Sequence, residues 1–315
     1  MNNKSKAIYT AIKWLFVIAA FAYLAYKLIA FDKYDEFFEQ WRQTPASRFW
    51  WLAGVFALLP LNWALESFKW MRITAHIQSL SFAQSLKGVL AGITTGFFTP
   101  NRIGDLLGRI VFLQPSNRTA GITLSLLNSF TQNLTIILCG IPACMLLFSR
   151  NNDMNSGIRT YILIAIALLM ACMLFYFLLP ALSKKIKHTT WGRKINEFVA
   201  CLSRYSTRDL AGIIFISMLR YLVFSAQFFF MLCLFDVHLT LWQALLAIPT
   251  NYLFVTFTPS VAFSEAALRA SYAIFVIGFF SGQTLNIALA GVAIWVVNWV
   301  LPLLAGAVLM LRSKE

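Results

Sequence analysis

Phe98-Thr99-Pro100-Asn101-Arg102-Ile103-Gly104-Asp105-Leu106-Leu107-Gly108-Arg109 and Phe257-Thr258-Pro259-Ser260-Val261-Ala262-Phe263-Ser264-Glu265-Ala266-Ala267-Leu268-Arg269 are two versions of one pattern. Each begins with Phe-Thr-Pro, runs through a small residue to an acid, and places an arginine four positions after that acid. Proline lacks the N–H a helix interior needs and pushes the residue before it out of the helical region. Both patterns therefore break an apolar helix, one inside Ser85 to Leu113 and one inside Trp242 to Phe280. Each half is shorter than the roughly 20 residues that cross a hydrocarbon layer. The two segments read as re-entrant hairpins with Thr99, Pro100 and Asn101 at one apex and Thr258, Pro259 and Ser260 at the other.

Around the hairpins lie stretches long enough to span: Ala11 to Ile29, Phe49 to Phe68, Ala120 to Phe148, Tyr161 to Leu182, Leu210 to Phe235 and Leu285 to Leu311. Of 315 residues, 59% are hydrophobic and 12% charged, with a mean hydropathy of +0.71. A soluble domain carries about a quarter charged residues, so this chain needs lipid as its solvent. Backbone groups must be paired internally there, which selects helices over open strands.

The net charge of +14 does not mark a nucleic-acid binder, because Lys and Arg sit in short connectors beside apolar runs. The positive-inside rule accounts for them. Lys184 to Arg208 holds seven basic residues against Glu197 and is read as cytoplasmic, in reach of anionic headgroups. Phe31 to Arg48, with four acids and three bases, is read as an outer loop. With Asn151 to Thr160 outside, parity requires each hairpin to enter and leave on the same side. The expected fold is an all-α polytopic membrane protein with six crossings and two hairpins, or eight helices by simple hydropathy, forming one domain over 1–315. It divides into opposed repeats, 1–150 and 161–315, each of three spanning helices and one hairpin. Inverted repeats with broken helices at the centre are common among secondary transporters. Both termini are expected in the cytoplasm and the membrane is expected to be the plasma (inner) membrane. The run from Ala11 is long and lacks a small-residue cleavage site, so it reads as a retained helix.

The charges inside these apolar segments are the candidate site. An acid and an arginine four apart share a helix face, which pairs Asp105 with Arg109 and Glu265 with Arg269. These pairs are either staples that close each hairpin or part of a binding site. The half-helix after each break points amides at the apex, and with Arg102 this suits a phosphate or carboxylate. Arg220, mid-helix, needs an interior partner, and Glu66 is the candidate unless it pairs only with Lys69 at the interface. Asn128, Gln132, Asn133, Gln227, Asn251 and Asn298 read as interhelical hydrogen-bonding groups, and Gly88, Gly92 and Gly96 as a close-packing face. Trp41, Trp50 and Trp51 read as interface anchors. Five cysteines without metal spacing read as packing residues, and His76, His188 and His238 stand in separate connectors. No metal, cofactor or nucleotide-binding loop is expected.

Pro100-Asn101-Arg102-Ile103-Gly104-Asp105 through Arg109 resembles the Pro-x-Arg-x-Gly-acid-x3-Arg motif of the flippase-like transmembrane domain shared with lysylphosphatidylglycerol synthase. Pro259 to Glu265 is similar to that family's second motif, with Val261, Ala262, Phe263 and Ser264 where the family has glycines. The resemblance implies movement of an anionic or aminoacylated phospholipid, or of a polyprenyl-linked lipid, between leaflets. The expected partner is then a membrane lipid with an anionic headgroup, alongside a separate lipid-modifying enzyme as a candidate. Because no aminoacyltransferase domain follows Glu315, the synthase reaction itself is not expected. The alternative is a membrane-embedded lipid-linked glycosyl- or aminoacyl-transferase, or its accessory subunit, with Asp105 or Glu265 as base.

Overall fold

The computed structural model describes residues 34–42, 45–97, 99, 102–149, 156–187, 199–259 and 262–312. The expected first span, Ala11 to Ile29, lies outside the described residues, as do Pro100, Asn101, Ser260 and His188. Among the described residues the structure is helical, without strands: α1 (Tyr34–Arg42), α2 (Phe49–Thr74), α3 (Phe82–Phe97), α4 (Ile103–Ile110), α5 (Arg118–Ser149), α6 (Ser156–Lys187), α7 (Thr207–Leu234), α8 (Leu241–Phe257), α9 (Ala262–Ile277), α10 (Thr284–Trp295) and α11 (Leu301–Arg312).

Five helical stretches are long and apolar enough to cross a membrane: Ala46–Thr74, Pro115–Ser149, Leu163–Lys185, Thr207–Leu234 and Thr284–Leu309. Leu163, Leu168, Met170 and Leu174 of α6 each leave more than half their surface uncovered by protein. So much exposed apolar surface fits lipid and not water. The chain is a polytopic all-α membrane protein.

Both proline-broken segments are helix pairs. The first consists of α3 and the eight-residue α4, the second of α8 and α9 with 17 and 16 residues. None has the length to span. Two boundaries differ from expectation. Helix α2 does not stop at Phe68 but runs to Thr74, carrying Lys69 into the protein, where it is fully buried. The last span is not one uniform α-helix: a π-turn at Val296–Val300 joins α10 to α11. Pro302 supplies the reason, since its missing N–H breaks the regular ladder one turn earlier.

Contacts divide the chain into two units, one of Met1–Leu59 with Phe224–Val300 and one of Pro60–Val223 with Leu301–Glu315. In the first, α9 packs with both α8 and α10, and the backbone of Arg269 and Ala270 runs against Gly291. Gln227 donates to the Val55 carbonyl at 3.0 Å, and Tyr252 to that of Phe224 at 3.0 Å. In the second, α3 packs with α4 and α11 and α4 packs with α5, and a core includes Trp70, Leu124, Leu134, Tyr176 and Leu210.

Candidate functional site

The site of greatest charge lies in the second unit and is built on α4. This helix lies so close to α3 that a Cβ at Gly104 would run into the Thr95 carbonyl, and one at Gly92 into the Asp105 carboxylate. Gly88, Gly92 and Gly96 all face α4, along Arg109 and Asp105. Small residues there allow the backbones to approach. The Thr99 hydroxyl latches the apex, accepting from the Gly104 N–H at 2.7 Å and donating to the Gly96 carbonyl at 3.1 Å. Thr95 donates to the Gly104 carbonyl at 2.7 Å. One of the amides expected to face an anion is thus taken by the chain itself. Arg102, partly buried at the apex, has φ 58 and ψ 29, a left-handed conformation that costs a residue with a Cβ about 1–2 kcal/mol.

The α4 register turns Asp105 and Arg109 inward together. Arg109 Nε donates to both Asp105 oxygens at 3.0 and 3.1 Å, and its guanidinium lies over the Trp70 ring, 5.7 Å from the centroid. Its Nη2 continues to Glu66 Oε1 at 2.8 Å. Glu66 is the hub of the site. The carboxylate also receives Asn128 Nδ2 at 2.9 Å, Lys69 Nζ at 2.9 Å and Arg220 Nη1 at 3.1 Å. Arg220 Nε donates to Asn62 Oδ1 at 2.8 Å, while Gln132 Oε1 accepts from Arg220 at 3.1 Å and from Lys69 at 3.3 Å.

Four helices supply these groups. Asn62, Glu66 and Lys69 form one stripe of α2, and Asn128 and Gln132, one turn apart, form a stripe of α5. Arg220 comes from α7, and Asp105 and Arg109 from α4. Charges in such surroundings persist only when paired and hydrogen-bonded, and this cluster provides a partner for each.

The structure thus joins Asp105, Arg109 and Arg220 of the expected site and adds Glu66, Lys69, Asn62, Asn128 and Gln132. Glu66 pairs with Arg220 and with Lys69 at once, which makes the interface-only alternative wrong for this pair. The signal for the hub was present in the sequence as Asn62, Glu66 and Lys69 on one face of an otherwise apolar helix.

The second helix pair repeats the local chemistry within the other unit. Arg269 Nη2 lies 3.2 Å from Glu265 Oε1, both side chains being nearly buried. The Thr258 hydroxyl, at the end of α8, donates to the Phe254 carbonyl at 2.7 Å and shares a 2.8 Å hydrogen bond with the Tyr272 phenol. Pro259 follows it, partly buried. Among the described residues no group of three or more His, Cys, Asp or Glu is arranged to hold a metal.

Comparison with known proteins shows that the family described as Lysylphosphatidylglycerol synthase TM region matches residues 11–306. No curated protein and no solved structure matches the chain.

Proposed function

Since the chain belongs to the lysylphosphatidylglycerol synthase transmembrane-region family, with the membrane-lipid role that this family suggests, we propose that it is a lipid flippase or transporter. It moves an anionic or aminoacylated phospholipid, or a polyprenyl-linked lipid, between the leaflets of the plasma membrane, with both termini in the cytoplasm. The observation that carries this reading is the convergence of Lys69, Arg109 and Arg220 on the single Glu66 carboxylate inside spanning and hairpin helices. Charges at that depth are expensive and characteristically mark a substrate pathway. The broken helix pairs support it as well, since interrupted helices line the binding sites of many transporters. In the same reading Arg102, Glu265 and Arg269 contact the headgroup as it passes the two apices, and the two pairs belong to opposed repeats.

The test is transbilayer movement in reconstituted vesicles carrying fluorescent phosphatidylglycerol or an aminoacylated phospholipid, with a quencher confined outside. Wild-type protein is expected to move label several-fold faster than empty vesicles, and Arg220→Ala and Arg102→Ala to lose most of that gain. Equal rates for all four preparations with both lipids would end the proposal.

A further inference from the structure

The first unit has a cavity of its own where the chain enters α2. It is open and holds about 570 Å³, within the roughly 300–1,000 Å³ of ordinary small-molecule pockets. Its apolar lining is Trp50, Trp51 and Phe230, and its polar lining is Ser47 and Arg48. Gly54 lets the Phe230 ring settle against α2, since a Cβ at that position would lie 3.0 Å from the ring. Trp51 packs on the same ring with 5.3 Å between centroids, while Trp50 is 78% exposed. Exposed tryptophans at the start of the apolar span Ala46–Thr74 mark the depth of lipid headgroups. A ligand at that depth carries a polar head and apolar chains.

The polar side of the cavity is an ion pair with capacity to spare at both ends. Arg48 Nη2 lies 2.9 Å from Asp236 Oδ1, and His238 Nε2 meets the same oxygen at 2.9 Å. Among the described residues, Arg48 Nε and Nη1 find no acceptor and Asp236 Oδ2 finds no donor. The two side chains are 24% and 31% exposed, so these atoms are within reach of a ligand. The pair is neutral as a whole. A purely anionic headgroup would gain Arg48 but meet the Asp236 charge beside it, and such repulsion is a source of specificity. A headgroup that carries both a phosphate and an ammonium satisfies both ends.

We propose that this cavity binds a zwitterionic phospholipid of the phosphatidylethanolamine kind. Its phosphate lies on the spare donors of Arg48, whose forked guanidinium matches two phosphate oxygens. Its ammonium donates to Asp236 Oδ2, and the upper part of its chains lies against Trp50, Trp51 and Phe230. The site uses no residue of the Glu66 cluster and does not depend on lipid movement.

The test counts lipids retained by the full chain in neutral detergent, by native mass spectrometry, during titration with dioleoyl phosphatidylethanolamine and separately with dioleoyl phosphatidylglycerol. Arg48→Gln is expected to remove one bound phosphatidylethanolamine per chain and to leave phosphatidylglycerol binding as in wild type. Asp236→Asn is the more selective variant, because asparagine tolerates the left-handed backbone at this position, φ 64, and only the charge is lost. It is expected to bind that one phosphatidylethanolamine at least about tenfold more weakly, the least that loss of one charge-assisted contact produces, and to narrow the preference over phosphatidylglycerol.

If Arg48→Gln removes no phosphatidylethanolamine, or removes phosphatidylglycerol equally, the proposal is overturned. An Asp236→Asn protein that folds and keeps the wild-type preference overturns it as well. If wild type retains neither lipid, what covers the cavity is protein and the proposal falls. Transbilayer movement has no bearing on these outcomes, so failure of the flippase reading and failure of this site are told apart.

Discussion

Arg220 Nη1 lies 3.1 Å from Glu66 Oε2, and that same oxygen is 2.9 Å from Lys69 Nζ. The opposite oxygen takes Arg109 at 2.8 Å. One carboxylate on α2 therefore ties together α4, α7 and its own helix, and its removal has consequences that no pairwise view captures.

Glu66→Leu takes the shared carboxylate away from the buried Lys69 and Arg109 and from the part-buried Arg220. It is expected to cost about 3–5 kcal/mol, the range for breaking a buried pair from one side, and to reduce the amount of folded protein recovered. Adding Arg220→Leu removes one of the stranded charges, so the double variant is expected to be more stable than Glu66→Leu alone. A double-mutant cycle read by thermal unfolding checks this; additive losses would show that Arg220 and Glu66 are not coupled.

Gly92 makes room for Asp105. Gly92→Ala pushes a methyl group into the carboxylate and is expected to cost about 1–3 kcal/mol by overpacking, with Arg109 losing its anchor and transport falling accordingly. Gly212 on α7 has open space around its Cβ position, so Gly212→Ala is expected to be neutral or slightly stabilising. Unfolding temperatures of the two variants, measured side by side, separate packing at α4 from any general intolerance of alanine.

Arg102 combines a strained backbone with a charge, and two substitutions pull these apart. Arg102→Gly relieves the left-handed conformation, while Arg102→Ala keeps the Cβ that opposes it. The glycine variant is expected to be more stable than the alanine variant by about 1 kcal/mol, with both losing headgroup-dependent transport. If the two transport at wild-type rates, the charge at the apex has no role in the proposed function.

In the connector before α7, burial pushes the Cys201 thiol up to about 11, and the Tyr205 phenol, which donates to the Ile73 carbonyl, rises for the same reason. Only the thiolate alkylates, so Cys201 is expected to resist iodoacetamide at pH 8 in the folded protein and to react on unfolding. A group held neutral in this way adds stability that is fully present below its ordinary range. That stability is lost as pH rises towards 11. Mass mapping of alkylated cysteines and the unfolding temperature between pH 8 and 11 test the two statements.

The placement of these residues separates what is local from what is not. Asp105 with Arg109 and Glu265 with Arg269 were readable from spacing, because helix geometry alone brings positions four apart onto one face. The breaks at Pro100 and Pro259 were readable for an equally local reason, a missing N–H and a fixed dihedral. The π-turn before Pro302 had the same cause but was not foreseen, since hydropathy is blind to how a ladder accommodates its missing bond.

The amino-acid sequence by itself determined that this is an all-α membrane protein with two proline-broken helical segments carrying acid–arginine pairs, because length, apolarity and short-range spacing are properties of the chain. Only the tertiary structure decided that Arg109, Lys69 and Arg220 meet at Glu66. Their meeting depends on the rotation and depth at which α2, α4, α5 and α7 pack, and that is set by the fit of whole helix surfaces, such as the glycine seam between α3 and α4, and by no single spacing along the chain.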